Sequence, residues 1–359
     1  MAEAKSIESL SLFFTAGATA GSLLAGSSAG AICAVLLPVA ALPFFMGGKL
    51  LKTSSKAIGA LFSGTFLVLG LFCALNASII PKTGESALML KAAECAEALK
   101  KVIGRIPFPN KETGALLQAL FTGDRSALSP ELTAAFRKSG ASHILALSGL
   151  HMGIIYRVFD RLSAVLGRSP AARYVRFFLM MGAASLFTIM TGAAPSIVRA
   201  FLFILINEIL KLLGRPRKAV RVLCLALLVQ LVLQPEVIST LGFQLSYLAM
   251  AGIFLLYPVM EKWYPETKSP LRWVWKSAAL AISCQLFTAP LVWLRFHTFP
   301  RYFLLTNLMA LPLTSVLMTS ALLTITLAAA GWTPEVLTSH TDWICSLLTG
   351  TLEIIGSLP

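Results

Sequence analysis

Long runs of apolar residues, separated by short clusters of basic residues, dominate the pattern of this chain. A helix needs about 20 apolar residues to cross the hydrocarbon of a bilayer. By this criterion the runs predict about ten membrane segments, at 9–26, 29–46, 57–76, 143–157, 177–192, 194–210, 220–234, 239–258, 277–294 and 302–330. The last run is long enough to hold a broken or re-entrant piece around Asn307 and Pro312 before a full span. The pattern therefore predicts an all-α polytopic membrane protein.

Two stretches differ from the apolar runs. Residues 77–142 form the only sizeable polar segment, and they predict a helix up to about Phe121 followed by a turn over 122–127. A second short helix should begin with Ser129 as its cap and Pro130 in its first turn, and it should end near Gly140. Residues 334–359 mix charged and apolar side chains, which predicts a C-terminal amphipathic helix lying at the membrane interface.

Composition supports the membrane class. Hydrophobic residues make up 57% of the 359-residue chain and charged residues only 13%, with a mean hydropathy of +0.79. An average soluble domain carries about 25% charged residues. A soluble globule could not cover its surface with so few polar groups, and 22 Phe with long apolar runs exclude an intrinsically disordered chain.

The positive charge of the chain lies mostly in four loops. The net charge is +14, and the loops 47–56, 157–176, 211–221 and 261–276 hold 17 of the 30 Lys and Arg residues. These loops fall on the same side if each intervening pair of spans is real. Because cytoplasmic loops of membrane proteins collect basic residues, the pattern predicts a cytoplasmic N-terminus. The excess of charge is then weak support for nucleic-acid binding.

Polar groups at membrane depth are costly, so each is a candidate for function. Prolines that bend helices and glycines that allow close packing are further candidates. The candidate residues are His143, Ser148, Gly149, His151, Pro195, Arg199, Gln244, Ser246, Gln285 and Asn307. Several polar or bent helices in one chain favour an aqueous path. For each residue alone, an interhelical hydrogen bond is the competing role. The GxxxG pair Gly17 and Gly21 predicts close helix packing.

The candidates do not form a familiar catalytic or metal site. Ser148 and His151 are three residues apart, but the nearest carboxylate in sequence, Asp160, lies nine residues beyond His151, so the third member of a triad is missing. The four histidines show no HxxxH spacing, and the six cysteines form no CxxC pair. No phosphate-binding GxxxxGK[ST] motif occurs. We therefore expect no enzymatic activity, no metal and no cofactor.

One long motif resembles a known family. The segment FTGDRSALSPELTAAFRKSGASHILALSGLHMGIIY at 121–156 closely resembles the core motif of the ComEC-type competence proteins. Three further patterns follow in the order found in that family: TGAAPSIVRAFLF at 191–203, QPEVISTLGFQLSYLAMAGIFLL at 234–256 and FHTFPRYFLLTNLMALPLTSVLM at 296–318. The resemblance covers about residues 114–359.

The resemblance implies a channel in the bacterial cytoplasmic membrane that admits single-stranded DNA during natural transformation. It adds Gly123, Asp124 and Arg125 to the candidate residues. It divides the chain into N-terminal transmembrane helices (1–76), an external helical segment (77–142) and a competence-type channel domain (143–359). Residues 77–113 are too short for the family's OB-like domain, and no HxHxDH motif of its metallo-β-lactamase-like domain occurs.

The implied partners are single-stranded DNA and the lipid bilayer, together with a separate nuclease, a DNA receptor and a cytoplasmic motor. Two other functions stay open from the residues alone. A transporter of small solutes or lipid precursors should bind a defined small ligand and leave DNA uptake unaffected. A membrane scaffold without a conduit should keep its activity when the polar residues are changed. The sequence does not indicate an oligomeric state.

The predicted topology can be checked with single cysteines and a membrane-impermeant maleimide. We expect cysteines at Lys56, Arg168 and Lys218 to react only from the cytoplasmic side, and a cysteine at Lys111 to react from outside. Reaction at any of the three basic loops in intact cells would overturn the topology.

Overall fold

The computed structural model describes residues 2–24, 67–71, 73–74, 87–167, 169–264, 270–297 and 300–358. All regular elements in these ranges are helical, so the predicted all-α class is confirmed for this part of the chain. The predicted span at 29–46, most of the span at 57–76 and the loop at 47–56 lie outside the described residues.

The longer helices are numbered here along the chain. They are α1 (Ala2–Leu24), α2 (Ala87–Arg105), α3 (Lys111–Thr122), α4 (Pro130–Lys138), α5 (Ser142–Leu145), α6 (Gly149–Ser163), α7 (Pro170–Met190), α8 (Pro195–Leu212), α9 (Ala219–Leu233), α10 (Leu241–Leu255), α11 (Tyr257–Glu261), α12 (Pro270–Phe296), α13 (Phe303–Ala329) and α14 (Glu335–Gly356). Short 3₁₀ turns follow α6 at Ala164–Leu166 and precede α10 at Pro235–Ser239.

Four of the described helical stretches are long and apolar enough to cross a bilayer. They are Pro170–Met190, Leu241–Glu261, Leu271–Phe296 and Phe303–Ala329, and α9 is a shorter apolar helix. These stretches support the membrane class, while the number of ten spans stays a prediction.

For two of the predicted spans, the structure shows a helix that is broken where a continuous one was predicted, or continuous where a break was predicted. The span predicted at 143–157 is not one helix, because the backbone leaves α5 at Ala146 and becomes helical again at Gly149. The run at 302–330 forms the continuous helix α13, without the predicted break around Pro312. Neighbouring hydroxyls bind the carbonyls of the same helix around this proline, with Thr314 Oγ1 donating to Ala310 O at 2.7 Å and Ser315 Oγ to Leu311 O at 2.9 Å.

The chain divides into two compact units. One unit comprises residues 1–84 and 202–247, and the other comprises residues 85–201 and 248–359. The core of the first unit includes Phe14 and Ala18 of α1, Leu231 of α9 and Phe243 of α10, all buried. Tyr247 Oη donates to Gln230 Oε1 at 3.1 Å in the same unit.

The GxxxG pair in α1 packs as predicted. A Cβ atom at Gly17 would overlap with the carbonyl oxygen of Leu67, and one at Gly21 would lie 2.7 Å from Ala74 Cβ. The approach is reciprocal, because a Cβ at Gly70 would overlap with the carbonyl oxygen of Phe14. Only glycine permits backbones to come this close.

The second unit has a core built from both ends of its sequence. Leu116, Leu120 and Phe136 of α3 and α4 are buried together with Leu317 of α13 and Leu348 of α14. The helical segment predicted at 77–142 therefore shares one core with the C-terminal helices. The predicted caps are confirmed, because Ser129 Oγ accepts from Leu132 N at 3.2 Å and Gly140 has a φ of 79°.

α14 confirms the helix predicted for the C-terminal tail. Its buried residues include Thr341, Ile344 and Leu348, which pack against protein. This face is therefore not the one that meets lipid.

We expect Gly17→Ala to destabilise the protein. The added methyl overlaps with a backbone carbonyl, and overpacking of this kind costs about 1–3 kcal/mol, more than the helix propensity gained by alanine. The apparent melting temperature in detergent measures the effect. Gly182→Ala in α7 is the matched control, because a Cβ there has open space. An equal melting temperature for the Gly17 variant and the native protein would contradict the packing.

Candidate functional site

Four of the predicted polar residues come together in the second unit. His143 lies on α5, Ser148 precedes α6, His151 lies in the first turn of α6, and Asn307 lies on α13. We call these four residues the polar cluster. They are separated by up to 164 positions in sequence and meet because the chain breaks between α5 and α6.

Ser148 and His151 form a local cap at the start of α6. The backbone N–H of Ser148 donates to His151 Nδ1 at 3.3 Å, and Ser148 Oγ lies 2.8 Å from the same nitrogen. Since Nδ1 accepts a backbone hydrogen, the proton of the neutral ring belongs on Nε2. His151 is fully buried, and its Nε2 has no partner among the described residues. The cluster thus holds one unsatisfied buried donor.

His143 and Asn307 complete the polar cluster. His143 Nδ1 lies 3.1 Å from Gly140 O, so this nitrogen donates to the carbonyl. Asn307 and His151 are both electrostatic neighbours of the His143 ring. Asn307 Oδ1 is buried without a partner in the described part of the chain, whereas His143 is exposed. The cluster therefore joins an unsatisfied acceptor to an exposed side chain.

The turn Gly123–Arg125 holds the break between α5 and α6. Gly123 ends α3 with a φ of 82°, and a Cβ there would lie 2.6 Å from Leu147 Cδ1. Arg125 Nη2 donates to Leu145 O at 2.9 Å, a carbonyl at the end of α5. Both contacts fix the segment that leads to Ser148.

Asp124 connects this turn to α2. Its Oδ2 lies 2.6 Å from Lys100 Nζ, and its Oδ1 accepts from Ser126 N at 2.9 Å. The carboxylate thus joins two elements and closes the turn at the same time.

Arg199 lies in the second turn of α8. Its side chain is 4% exposed, and Nη1 donates to Pro195 O of the same helix at 3.4 Å. A Cβ at Gly149 would lie 3.5 Å from Ala200 Cβ, an ordinary van der Waals distance. The start of α8 therefore lies beside the start of α6, which carries the Ser148–His151 cap. Glu208 of the same helix pairs with Lys211 at 3.1 Å.

The structure does not add the remaining predicted residues to the polar cluster. Gln244 Nε2 donates to Ile238 O at 2.9 Å in the first unit, and Ser246 is half-buried in that unit. Gln285 is half-buried on α12.

Several supporting contacts were not predicted. Asp342 Oδ1 accepts from Thr113 Oγ1 at 2.6 Å and from Asn110 N at 3.1 Å, which ties α14 to the start of α3. Thr306 Oγ1 donates to Ser139 O at 2.6 Å, one residue before Asn307. These partners are 167 or more positions apart in sequence, and no local pattern signals them.

The polar cluster offers hydrogen-bonding groups that could bind a polar ligand. No carboxylate within the described ranges orients its histidines as in the catalytic triad of a hydrolase. Asp160, the nearest carboxylate in sequence, pairs with Arg176 at 3.3 Å on α7. No group of three His, Cys, Asp or Glu residues able to hold a metal occurs among the described residues. What the cluster offers is neutral donors and acceptors inside an apolar bundle.

The family of the chain follows from comparison with known proteins. A family model described as Competence protein matches residues 120–359, which include the whole polar cluster and the turn at Gly123. The chain belongs to this family. The resemblance inferred from the motifs is thereby confirmed.

Three curated relatives match the chain. ComE operon protein 3 of Bacillus subtilis (strain 168) is 31% identical over 209 residues, which cover 57% of this chain and 25% of the relative. The uncharacterized protein YcaI of Escherichia coli (strain K12) is 28% identical, covering 58% of this chain and 28% of the relative. Recombination protein 2 of Haemophilus influenzae is 24% identical, with the same two coverages of 58% and 28%. The chain thus spans about a quarter of the length of these relatives. No solved structure matches it.

The Asp124 contacts predict a pH dependence of stability. Lys100, and then the backbone N–H of Ser126, hold the pKa of the Asp124 carboxyl well below its usual range. A carboxylate whose pKa is lower in the folded state stabilises the fold above its unfolded pKa of about 4. This stabilisation is lost as the pH falls from there towards the folded value.

We therefore expect Asp124→Asn to lower the melting temperature at neutral pH and to weaken its decline under acidic conditions. Thermal unfolding in detergent over a pH series measures both effects. Glu94→Gln, which removes an exposed carboxylate of α2, is the matched control. An unchanged acid profile in the Asp124 variant would contradict the role of this ion pair.

Proposed function

We propose that this chain is a membrane channel domain that passes single-stranded DNA into the bacterial cytoplasm during natural transformation. The observation that carries the proposal is the match to the Competence protein family over residues 120–359. The description of the family names competence, the state in which bacteria take up DNA.

The geometry supports a hydrated path in this domain. A phosphate in hydrocarbon is prohibitively expensive, so a strand needs a route lined by polar groups. The polar cluster supplies an unsatisfied donor at His151 and an unsatisfied acceptor at Asn307, beside the exposed ring of His143. Transport without sequence preference favours such weak contacts, because strong fixed contacts would trap the strand.

We further propose the setting in which the domain works. It lies in the cytoplasmic membrane with its N-terminus inside, as the basic loops predict. It acts without enzymatic activity of its own, and a separate nuclease, a DNA receptor and a cytoplasmic motor complete the uptake.

The decisive experiment is deletion of the gene followed by a transformation assay. Labelled DNA is scored separately in the periplasm and the cytoplasm. We expect DNA to reach the periplasm and to be lost from the cytoplasm, with recovery on complementation. Normal cytoplasmic uptake in the deletion strain would refute the proposed function.

Arg199 gives the sharpest test of a single residue. A charge at membrane depth costs at least about 2 kcal/mol on insertion scales, and a guanidinium beside a hydrated path forms charge-assisted hydrogen bonds with phosphates. We expect Arg199→Gln to reduce cytoplasmic uptake severely and Arg199→Lys to keep part of it, because the charge remains.

Membrane accumulation of both Arg199 variants, measured by immunoblot, separates transport from folding. Loss of accumulation in both variants would support a structural role through the bond to Pro195 O. Full uptake with Arg199→Gln would remove this residue from the path.

A further inference from the structure

The exposed surface of α14 carries two stripes of opposite character, and the exposed ring of His340 lies at the edge of the first, 3.3 Å from Ser320 Oγ of α13. The first stripe is apolar, and its exposed residues are Val336, Trp343, Leu347 and Ile354. Their spacing of seven, four and seven keeps them on one face of a helix. Exposure ranges from 42% at Leu347 to 84% at Val336. From Val336 to Ile354 the stripe runs about 27 Å at 1.5 Å per residue.

The second stripe is polar and lies beside the first. It consists of the exposed residues Glu335, Ser339, Ser346 and Glu353, again with helical spacing. At about 100° per residue, its centre is roughly a quarter turn from that of the apolar stripe. One helix therefore presents an apolar and a polar surface to its surroundings along its whole length.

The rest of α14 is covered by protein on two sides. On the side next to the apolar stripe, Thr341 Oγ1 lies 2.7 Å from Ser320 Oγ and 3.0 Å from Thr324 Oγ1 of α13. On the side next to the polar stripe, Asp342 binds Thr113 at the start of α3. A Cβ at Gly356 would lie 3.2 Å from Lys138 Cβ at the end of α4.

α14 runs antiparallel to α13 over most of its length. Thr324 meets Thr341 near one end of the pair. Near the other end, Thr306 Oγ1 donates to Ser139 O, and a Cβ at Gly356 would lie 3.6 Å from Ser139 N. The distance from Thr306 to Thr324 along α13 is about 27 Å. A helix lying flat in the interface would meet a spanning helix over only about 10 Å, the diameter of a helix.

α13 carries a matching apolar stripe. Its exposed residues Leu305, Met309, Val316 and Leu323 lie on one face and also extend over about 27 Å. The hydrocarbon of a bilayer is about 30 Å thick. α13 is one of the four candidate membrane spans among the described residues. α14 is less apolar and is not among the four, but it runs antiparallel beside α13.

We propose that α14 crosses the bilayer antiparallel to α13 and separates lipid from water. Its apolar stripe contacts acyl chains, in continuity with the stripe of α13. Its polar stripe borders a water-filled vestibule shared with α3 and α4, whose charged side chains include Lys111, Glu131 and Lys138. This position replaces the interfacial one predicted from the sequence, and it does not depend on the substrate that the protein transports.

Depth-dependent quenching of tryptophan tests the span directly. The full chain is reconstituted in vesicles whose lipids carry bromine either near the headgroup or deep in the acyl chain. One variant retains only Trp343, and the matched control retains only Trp332, at the turn between α13 and α14. We expect Trp343 to be quenched most by deep bromine and Trp332 by shallow bromine. Strongest quenching of Trp343 by shallow bromine would overturn the proposal.

Sidedness provides a second and independent measurement. Thr333→Cys and Ser357→Cys, at the two ends of α14, are introduced into the chain with its native cysteines replaced by serine. An impermeant maleimide should label only one of them in intact cells and both after permeabilisation. Labelling of both in intact cells, or of neither until permeabilisation, would refute the crossing. If the serine background does not accumulate, the quenching experiment decides alone.

Neighbouring residues test the vestibule. A water-soluble maleimide should react with Ser346→Cys on the polar stripe and fail to react with Leu347→Cys on the apolar stripe. Equal reaction at both positions would contradict the separation of water from lipid by α14.

Discussion

The structure depends on one constraint: in an apolar surrounding, every backbone group that leaves a helix must find a partner within the protein. The break between α5 and α6 shows how this chain meets it. Leu145 O accepts from Arg125, and Ser148 N donates to the His151 ring. Each contact satisfies a backbone group, and together they position the side chains of the polar cluster. The residues that satisfy the backbone at the break thus also place the polar cluster.

Both units combine close glycine packing with polar contacts between helices: a Cβ at Gly252 in the second unit would overlap with Ser283 O, and Tyr247 donates to Gln230 in the first. In the first, glycines bring backbones into contact, as Gly17 and Gly70 show. In the second, hydroxyl and carboxylate groups join helices across long sequence separations, as Thr341 does with Ser320 and Asp342 with Thr113. Small residues give close contact where no polar group is available, whereas polar pairs fix a register along the helix.

Local signals explain what the sequence predicts well. The apolar runs locate α7, α12 and α13, because hydropathy needs no partner. Ser129 and Pro130 predict the start of α4, because a helix cap depends only on residues within one turn. The polar residues of the cluster are found because they interrupt apolar runs, and the family motif locates the turn at Gly123.

Nonlocal contacts explain what the sequence misses. The sequence did not predict the break in the helix at 146–148. The capping box there contains a histidine in place of the usual Glu or Gln, and the hydrogen bond that stabilises the break comes from Arg125, 20 positions before Leu145. The convergence of His143 with Asn307 depends on the packing of α13 against the rest of its unit. The pairing of α13 with α14 depends on contacts that no sequence window contains. A hydropathy value taken along one helix carries no information on that pairing.

The hydroxyl groups of α13 carry a consequence for how the helix enters a bilayer. Thr314 and Ser315 donate to carbonyls one turn earlier, and Thr319 and Thr326 do the same with Ser315 O and Leu322 O. Each of these hydroxyl groups therefore donates its hydrogen bond within the helix, and only its weakly accepting lone pairs remain at the helix surface. A helix rich in threonine and serine can therefore enter lipid without leaving hydroxyl donors unpaired. Its insertion is easier than a residue-by-residue hydropathy sum would indicate.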